Sequence, residues 1–447
     1  MGKYLPCFKA YDVRGIVPSE LNPDIAYKIG RAFAAEVKPK KVCVGYDIRL
    51  SGPDLSVALT KGLNDGGSDV VDLGLVGTEM VYFATANYGY DGGVMITASH
   101  NPPQYNGMKM VRSESRPISG DSGLNDIERR AFEEDYADGG SGSVESKNVY
   151  ADFVQHLQQF ADMGKMKPLK VLADVGNGAA GVAMEALIPT MPMEVTKMEF
   201  EPNGHFPNGV PNPILPESRA RAEAELKKGG YDFGVAWDGD YDRCFFLDED
   251  GNFVEGYYIV GVLAKALLAQ EPGSTIIYDP RLTWNTLDIV NGLGGRPVVC
   301  KSGHAFIKER MRAEDAIYGG EMSAHHYFKK HWYCDSGMIP LLLIADLISR
   351  TGQTFGELVN EMIAKFPCSG EVNSTVASVP EVLAKIETLY PGGEVDRLDG
   401  LSIEFPEWRF NLRGSNTEPV IRLNVETRGN KAMMEEKTAE LLAHIRA

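Results

Sequence analysis

Apolar and polar positions come in blocks along this chain of 447 residues, and three of the blocks share one pattern. The stretches "KKVCVGYDIR", "LKVLADVGNG" and "STIIYDPRLT" each run apolar and β-branched, close on an aspartate (Asp47, Asp174, Asp279) and then turn. Short apolar runs bounded by turn residues predict buried strands. Helix-like spacing follows at 54–66, 179–188 and 284–292. Each unit then supplies a second apolar strand that ends in polar residues: "GGVMITASHNP", "YDFGVAWDGDYDR" and "AIYGGEMSAHH". Buried strands alternating with helices predict α/β units with mixed, mostly parallel sheets. In such sheets ligands gather beyond the carboxyl ends of the strands, where all three polar motifs fall. The spacing between the paired strand ends differs from unit to unit, so the expectation is a structural repeat and not a tandem sequence repeat.

The polar, Gly/Ser-rich stretch "ADGGSGSVESKN" (137–148) predicts a loop or linker between the first two units. Softer boundaries fall near 252, after the hairpin-like "LDEDGNF", and near 368. The remainder changes character, with β-rich segments at 401–427 and a helix at 431–445. Met434, Thr438, Leu441, Leu442 and Ile445 share one face of that helix. The expectation is four domains, at residues 1–149, 150–252, 253–367 and 368–447. Three would be similar α/β units and the last a C-terminal α+β domain.

Composition agrees with a globular chain: 43% hydrophobic and 24% charged residues. The net charge of −17 argues against a general binder of nucleic acid or anionic membrane, which needs a basic face. An anionic ligand would require positive charge concentrated locally. The N-terminal "MGKYLPCFKAYDVRG" has no apolar run after its lysine and reads as lacking a signal peptide. The longest apolar stretch, "MIPLLLIADLI", is broken by Pro340 and Asp346 and is too short to span a bilayer. Six scattered cysteines without a CxxC pair read as reduced thiols, so a soluble cytoplasmic protein is expected.

Four motifs carry candidate chemistry. "AWDGDYDRCFF" places Asp238, Asp240 and Asp242 at every second position, where three carboxylates converging on one point suit a hard cation such as Mg²⁺. An EF-hand loop would continue with glycine; Arg243 stands there instead. A solvated acidic turn is the alternative. "TASHNPPQYNGMK" sets Ser99 at a strand end beside His100, with Lys109 downstream, a candidate activated nucleophile or an ordinary Ser-His-Asn-Pro turn. No G-x-S-x-G elbow is present, which argues against a serine hydrolase. "GGEMSAHHYF" offers Glu321, Ser323, His325 and His326 on a strand-end loop. Glu and Ser together can grip vicinal hydroxyls, though packing of the His pair is an alternative. "FNLRGSNTEPVIRL" offers Arg413, Ser415, Asn416 and Thr417, either an anion cradle or a polar turn.

Together the four describe phosphoryl transfer on a phosphorylated polyol. "CFKAYDVRG", "TASHNPPQYNGMK", "DGDYDR", "GEMSAHH" and "RGSNTEP", in that order, resemble the α-D-phosphohexomutases over essentially the full length. The closest likeness is to the bacterial phosphomannomutase/phosphoglucomutase group. The resemblance implies domains arranged around a central active-site cleft, with Ser99 as a phosphoserine. Mg²⁺ would be bound by a phosphoserine oxygen with Asp238, Asp240 and Asp242. Arg243 would lie beside the transferring phosphoryl, with His100 and Lys109 as candidate acid/base groups and Tyr11 and Arg14 nearby. Glu321 and Ser323, assisted by His304 and His325, would hold sugar hydroxyls. Arg413, Ser415, Asn416 and Thr417 would hold the phosphate that is not reacting, and Arg281 would help bind ligand. The implied substrates are mannose 6-phosphate and mannose 1-phosphate, with glucose phosphates left open. A hexose 1,6-bisphosphate serves as intermediate and activator, and GDP-mannose synthesis consumes the product. A monomer or weak homodimer, binding neither nucleic acid nor membrane, is expected. Gly414 departs from the Ala or Thr frequent among relatives. Phosphoglucomutase, a Mg²⁺-dependent sugar phosphatase and a calcium-stabilised carbohydrate-binding protein are the alternatives.

Overall fold

The computed structural model describes residues 3–136, 139–414 and 420–447. The chain packs as two compact units, one of Met1–Asn252 with Lys330–Arg350, the other of Phe253–Lys329 with Thr351–Ala447.

The first unit holds two sheets. One runs, in spatial order, Val13–Ile16, Tyr105–Arg112, Gly92–Ile96, Lys41–Tyr46, Asp69–Leu75 and Val144–Ser146. Lys41–Tyr46 pairs in parallel with Gly92–Ile96 and Asp69–Leu75, and the two strands at the other end are antiparallel. Its core interleaves sheet residues such as Val42, Val44, Val94 and Ile96 with Ile29, Phe33, Leu59 and Leu63 of the flanking helices. In the other sheet, Lys170–Asp174 lies between Glu194–Met198 and Phe233–Trp237, parallel to both, and Cys244–Leu247 runs antiparallel to Phe233–Trp237. The predicted helices form at Gly52–Asp65 and Ala180–Leu187. Within Lys330–Arg350 the chain re-enters this unit. Trp237 Nε1 donates to Gly337 O at 2.8 Å, and Lys167 N donates to Ser349 Oγ at 2.9 Å.

The stretch expected as a linker contains structure. Val144–Ser146 forms an edge strand, parallel to Asp69–Leu75. Its residues are polar or exposed, so no hydrophobic signal marks it. It is held by the backbone bond from Val70 N to Ser143 O and by Asp69 Oδ1, which accepts from both Ser143 N and Ser143 Oγ at 2.6 Å.

In the second unit Thr275–Tyr278 is parallel to Arg296–Val299 and to Tyr318–Gly320, and His326–Phe328 returns antiparallel. The predicted helix forms at Trp284–Gly292. An antiparallel sheet follows in the order Val372–Thr375, Val420–Thr427, Trp408–Gly414, Leu401–Glu404 and Glu394–Asp396. The helices Val379–Leu389 and Lys431–Arg446 pack on it through Ile386, Met434, Leu441 and Ile445. The strands Val372–Thr375 and Glu394–Asp396 were not expected, being short and mostly polar.

All three repeated strand pairs align their carboxyl ends. Tyr46 pairs with Ile96, Asp174 with Ala236, and Tyr278 with Gly320. The polar motifs therefore leave each sheet at the edge where the closing aspartates stand.

Candidate active site

Ser99 sits three residues beyond the strand Gly92–Ile96, in the left-handed region at φ 49°. Its N–H donates to Thr97 Oγ1 at 2.9 Å, which closes the turn. A non-glycine residue there carries backbone strain of order 1–3 kcal/mol and persists only where the surroundings over-determine it. Part of that determination comes from Arg49, which is 1% exposed. Its guanidinium donates to the carbonyls of Ser99 (2.9 Å), Asn101 (2.6 Å), Pro102 (2.9 Å) and Tyr105 (2.8 Å). The Ser99 hydroxyl donates to Asp238 Oδ2 at 2.8 Å, lies 3.1 Å from His100 Nδ1 and accepts from Arg243 at 3.2 Å. Gly239 makes this approach possible: a Cβ there would fall 2.5 Å from Ser99 O.

The three aspartates are buried and converge, each offering an oxygen within 4.8 Å of the others'. Arg243 binds Asp238 Oδ2 through Nε at 2.9 Å and Nη2 at 2.6 Å. Lys109, on the strand Tyr105–Arg112, donates to Asp240 Oδ2 at 2.7 Å and to Asp242 Oδ2, and Thr78 donates to Asp240 Oδ2. Burial, joined by Asp242 and Asp240, pushes the Asp238 carboxyl up against the pull of Arg243. Burial works against the Lys109 ammonium, but Asp240 and Asp242 outweigh it and hold it above the usual lysine range. Burial, with Arg243 and Arg14 beside it, holds His100 well below the usual histidine range, so its ring is neutral near pH 7. Asp240 Oδ1 is buried without a hydrogen-bond partner. An all-oxygen, three-carboxylate donor set with an oxygen to spare fits a hard divalent cation such as Mg²⁺. Arg14 joins the Ser99 loop by donating to Asn101 Oδ1 at 2.8 Å while pairing with Asp12 at 2.5 Å. Tyr11 is partly buried on the turn before the strand Val13–Ile16.

A separate constellation forms in the second unit. Asp279 Oδ1 accepts from Arg281 N and Nε, both at 2.9 Å, and Oδ2 accepts from Arg281 Nη2 at 3.0 Å and Met322 N at 2.8 Å. Arg281 Nη2 is 3.5 Å from Ser323 Oγ and 3.7 Å from Glu321 Oε1. Glu321 accepts from Gly303 N at 2.9 Å, immediately before His304 opens the helix His304–Glu314, and from Tyr327 OH at 2.6 Å. His325 Nδ1 is 3.3 Å from Ser323 Oγ. Ala324 carries this loop's left-handed residue, φ 70°, as Tyr241 does, φ 44°, in the aspartate loop. Three guanidiniums surround the Glu371 carboxylate: Arg281 at 3.5 Å, Arg413 at 3.5 Å and Arg422 at 3.4 Å. Burial, joined by Arg281, pushes Arg413 below the usual arginine range against the pull of Glu371 and Asp399. Arg409 ties the antiparallel sheet to this site. It donates to Arg281 O at 3.0 Å and Pro280 O at 2.9 Å while pairing with buried Glu426 at 2.8 Å.

Ser99, His100, Lys109, Arg14 and Arg243 thus gather with the three aspartates in one unit. Arg281, Glu321, Ser323, His325, His304 and Arg413 gather in the other. Ser415, Asn416 and Thr417 lie outside the described residues. Sequence reasoning missed Arg49, Thr78, Gly239 and Glu371. The Asp-x-Arg shared by "YDIR" and "YDPR" was a usable signal for Arg49, whereas Glu371 has no local one.

Comparison with known proteins fixes the family. The chain matches four successive profiles. Three are Phosphoglucomutase/phosphomannomutase alpha/beta/alpha domains: I over residues 6–138, II over 149–251 and III over 255–366. The fourth is the Phosphoglucomutase/phosphomannomutase C-terminal domain, over 370–443. It is 52% identical over 440 residues to a protein of Xanthomonas campestris pv. campestris called "Phosphohexose mutases", covering 98% of both chains. It is also 52% identical over 448 residues to a Phosphomannomutase of Salmonella montevideo, again covering 98% of both. A crystal structure of a phosphoglucomutase/phosphomannomutase family protein from Burkholderia thailandensis superposes with a TM-score of 0.87 at 34% identity, covering 98% of this chain and 97% of that one. The chain belongs to the phosphoglucomutase/phosphomannomutase family, the α-D-phosphohexomutases.

Proposed function

We propose that this chain is a phosphomannomutase. It interconverts mannose 6-phosphate and mannose 1-phosphate through phospho-Ser99 and a hexose 1,6-bisphosphate, and supplies GDP-mannose synthesis in the cytoplasm. The observation that carries this reading is the Ser99 hydroxyl, 2.8 Å from a carboxylate of the aspartate triplet and within reach of both His100 and Arg243. A hydroxyl so placed, with cationic donors beside it, suits transfer of a phosphoryl group rather than an acyl group. Relatives called phosphomannomutase at 52% identity support the substrate.

The roles follow from position. In the first transfer the bond from phosphorus to Ser99 Oγ breaks as one forms to the free hydroxyl of the hexose monophosphate. The hydroxyl's proton is relayed to Ser99 Oγ by His100, whose Nδ1 lies 3.1 Å from that oxygen and also takes a hydrogen bond from Arg243 Nη2. Arg243 and Arg14 stabilise charge on the equatorial oxygens. Asp238, Asp240 and Asp242, with a phosphoserine oxygen, would hold Mg²⁺, which when bound neutralises charge on the transferring group. Lys109 keeps Asp240 and Asp242 in place. Glu321 and Ser323 grip two sugar hydroxyls, with His304, His325 and Tyr11 lining the ligand. Arg281 and Arg413 hold the phosphate that is not reacting. The bisphosphate then turns round, and its other phosphate returns to Ser99. Free hexose 1,6-bisphosphate acts as activator by phosphorylating Ser99 directly. The chain works as a monomer or weak homodimer of four domains, bounded near 149, 252 and 367, and glucose phosphates are a second substrate pair.

The test is ³¹P NMR of the purified protein with mannose 1-phosphate, Mg²⁺ and a trace of hexose 1,6-bisphosphate. A growing mannose 6-phosphate signal without inorganic phosphate is expected. Release of inorganic phosphate would assign a phosphatase instead, and an unchanged spectrum would overturn the substrate.

A further inference from the structure

Each repeated α/β unit closes its first strand on an aspartate, and each aspartate caps its own turn by accepting the N–H two residues on. Asp47 accepts from Arg49, Asp174 from Gly176 and Asp279 from Arg281. An arginine stands at that second position in two of the three units. In the second unit of the fold Arg281 turns back on its aspartate, reaching Asp279 through Nε and Nη2. Arg49 does something else. Its Nε is 3.6 Å from Asp47 Oδ2, and its two terminal nitrogens reach four carbonyls belonging to Ser99, Asn101, Pro102 and Tyr105. Those residues span the loop that carries Ser99 at left-handed φ, and one of the four carbonyls is Ser99's own. Phe206 closes over the guanidinium at 5.4 Å, so it is shut off from solvent.

We infer that Arg49 is the positioning residue for the Ser99 loop. It fixes the serine hydroxyl at its distance from Asp238 and Arg243 without itself reaching the reacting atoms. A planar guanidinium carries five N–H donors in a rigid fork, and four of the loop's carbonyls occupy that fork. A lysine ammonium has three donors on one nitrogen and cannot span carbonyls spaced across both terminal nitrogens. The charge is as necessary as the shape, because carbonyls crowded on one point repel each other unless a cation gathers them. The inference rests on the assignment of Ser99 as the phosphoryl carrier. Its structural half, that Arg49 holds residues 99–105 in place, can be read apart from turnover.

The experiment compares wild type, Arg49→Lys and Arg49→Ala in the full chain. Amide hydrogen exchange is read first. Both variants are expected to lose protection at Ser99, Asn101 and Tyr105, whose N–H groups close the loop's turns, by at least about tenfold. The sheet strands Lys41–Tyr46 and Gly92–Ile96 should keep theirs. Turnover is read second. Misplacement of a reacting group by about 1 Å costs on the order of 100-fold, so kcat should fall about 100-fold with KM within about twofold. Added guanidinium chloride, at concentrations that leave wild type unchanged, should restore Arg49→Ala by at least about tenfold. The inference is overturned by Arg49→Lys with kcat within threefold of wild type, by unaltered exchange in the loop, or by loss of protection spread evenly over the whole unit. Should wild type show no mutase turnover, the functional reading fails by itself, and the exchange data still decide whether Arg49 holds the loop. Should Arg49→Ala not fold, the exchange pattern and KM-against-kcat split of Arg49→Lys decide it.

Discussion

At Gly239 one missing methyl group sets the distance between two loops. The loop from Asp238 to Asp242 and the loop carrying Ser99 meet where a Cβ would lie 2.5 Å from the Ser99 carbonyl oxygen, a backbone atom that cannot rotate away. Gly239→Ala must therefore push the aspartate loop and the serine apart. The 2.8 Å bond from Ser99 to Asp238 and the 3.2 Å bond from Arg243 would lengthen together. Overpacking of this kind costs about 1–3 kcal/mol of stability. The larger effect falls on chemistry, with kcat expected to drop on the order of 100-fold. Steady-state kinetics beside urea unfolding check both parts; a variant with wild-type kcat would show that the two loops need not touch for turnover. The glycine was visible in "DGDYDR", but its reason was not, because Ser99 lies far away in sequence. The same distance hid Arg49, whose carbonyl partners leave no pattern a sequence can display, and Glu371, whose three arginine neighbours come from separate segments.

At the level of elements, hydrophobic patterning carried well wherever burial was the cause. The strands that close on Asp47, Asp174 and Asp279, the helices after them and the strands that present the motifs all read correctly, because each must bury an apolar face to exist. The elements that escaped are held by backbone bonds at sheet edges, as Val144–Ser146 is through Ser143 and Asp69. Polar residues buried inside an element escaped for the same reason, and His156 is the clearest case. It lies on the helix Tyr150–Leu157, stacks on Trp332 with ring centroids 5.1 Å apart, and places Nε2 3.0 Å from His331 Nδ1. Burial lowers its pKa from 6.5 to about 4. The unfolded chain therefore binds a proton that the folded one refuses. The stability His156 contributes is complete above pH 6.5 and drains away as pH falls from 6.5 toward 4, by about 3 kcal/mol in all. His156→Phe lowers stability at neutral pH, since the hydrogen bond to His331 is lost, but it also removes this proton uptake. Urea unfolding at pH 7 and pH 5 should show wild type losing about 2 kcal/mol more than the variant over that interval. Equal losses in the two proteins would sink the assignment.

For the whole molecule the governing fact is a net charge of −17 on a chain whose proposed substrate is a dianion. Neither unit's constellation escapes that excess by massing bare cations. Arg14 faces Asp12, Lys109 faces Asp240 and Asp242, Arg243 faces Asp238, Arg281 faces Asp279, and Arg413 faces Glu371. Each cation is balanced or outnumbered within a few ångströms, so attraction for phosphate acts only at hydrogen-bond range, where an incoming oxygen replaces a carboxylate. Further out the substrate meets the field of the surplus negative charge. Salt distinguishes the two ranges, because the screening length is about 30 Å at 0.01 M and about 8 Å at 0.15 M. Screening weakens the distant repulsion and leaves the short contacts nearly intact. With Mg²⁺ held at a fixed low concentration, kcat/KM for mannose 1-phosphate should rise by about two- to fivefold as sodium chloride goes from 0.01 to 0.15 M, with kcat unchanged. A basic, electrostatically steered site would give the opposite, a steady fall from the lowest salt upward. That result would mean the arginines act over long range, and that their carboxylate partners do not offset them in solution.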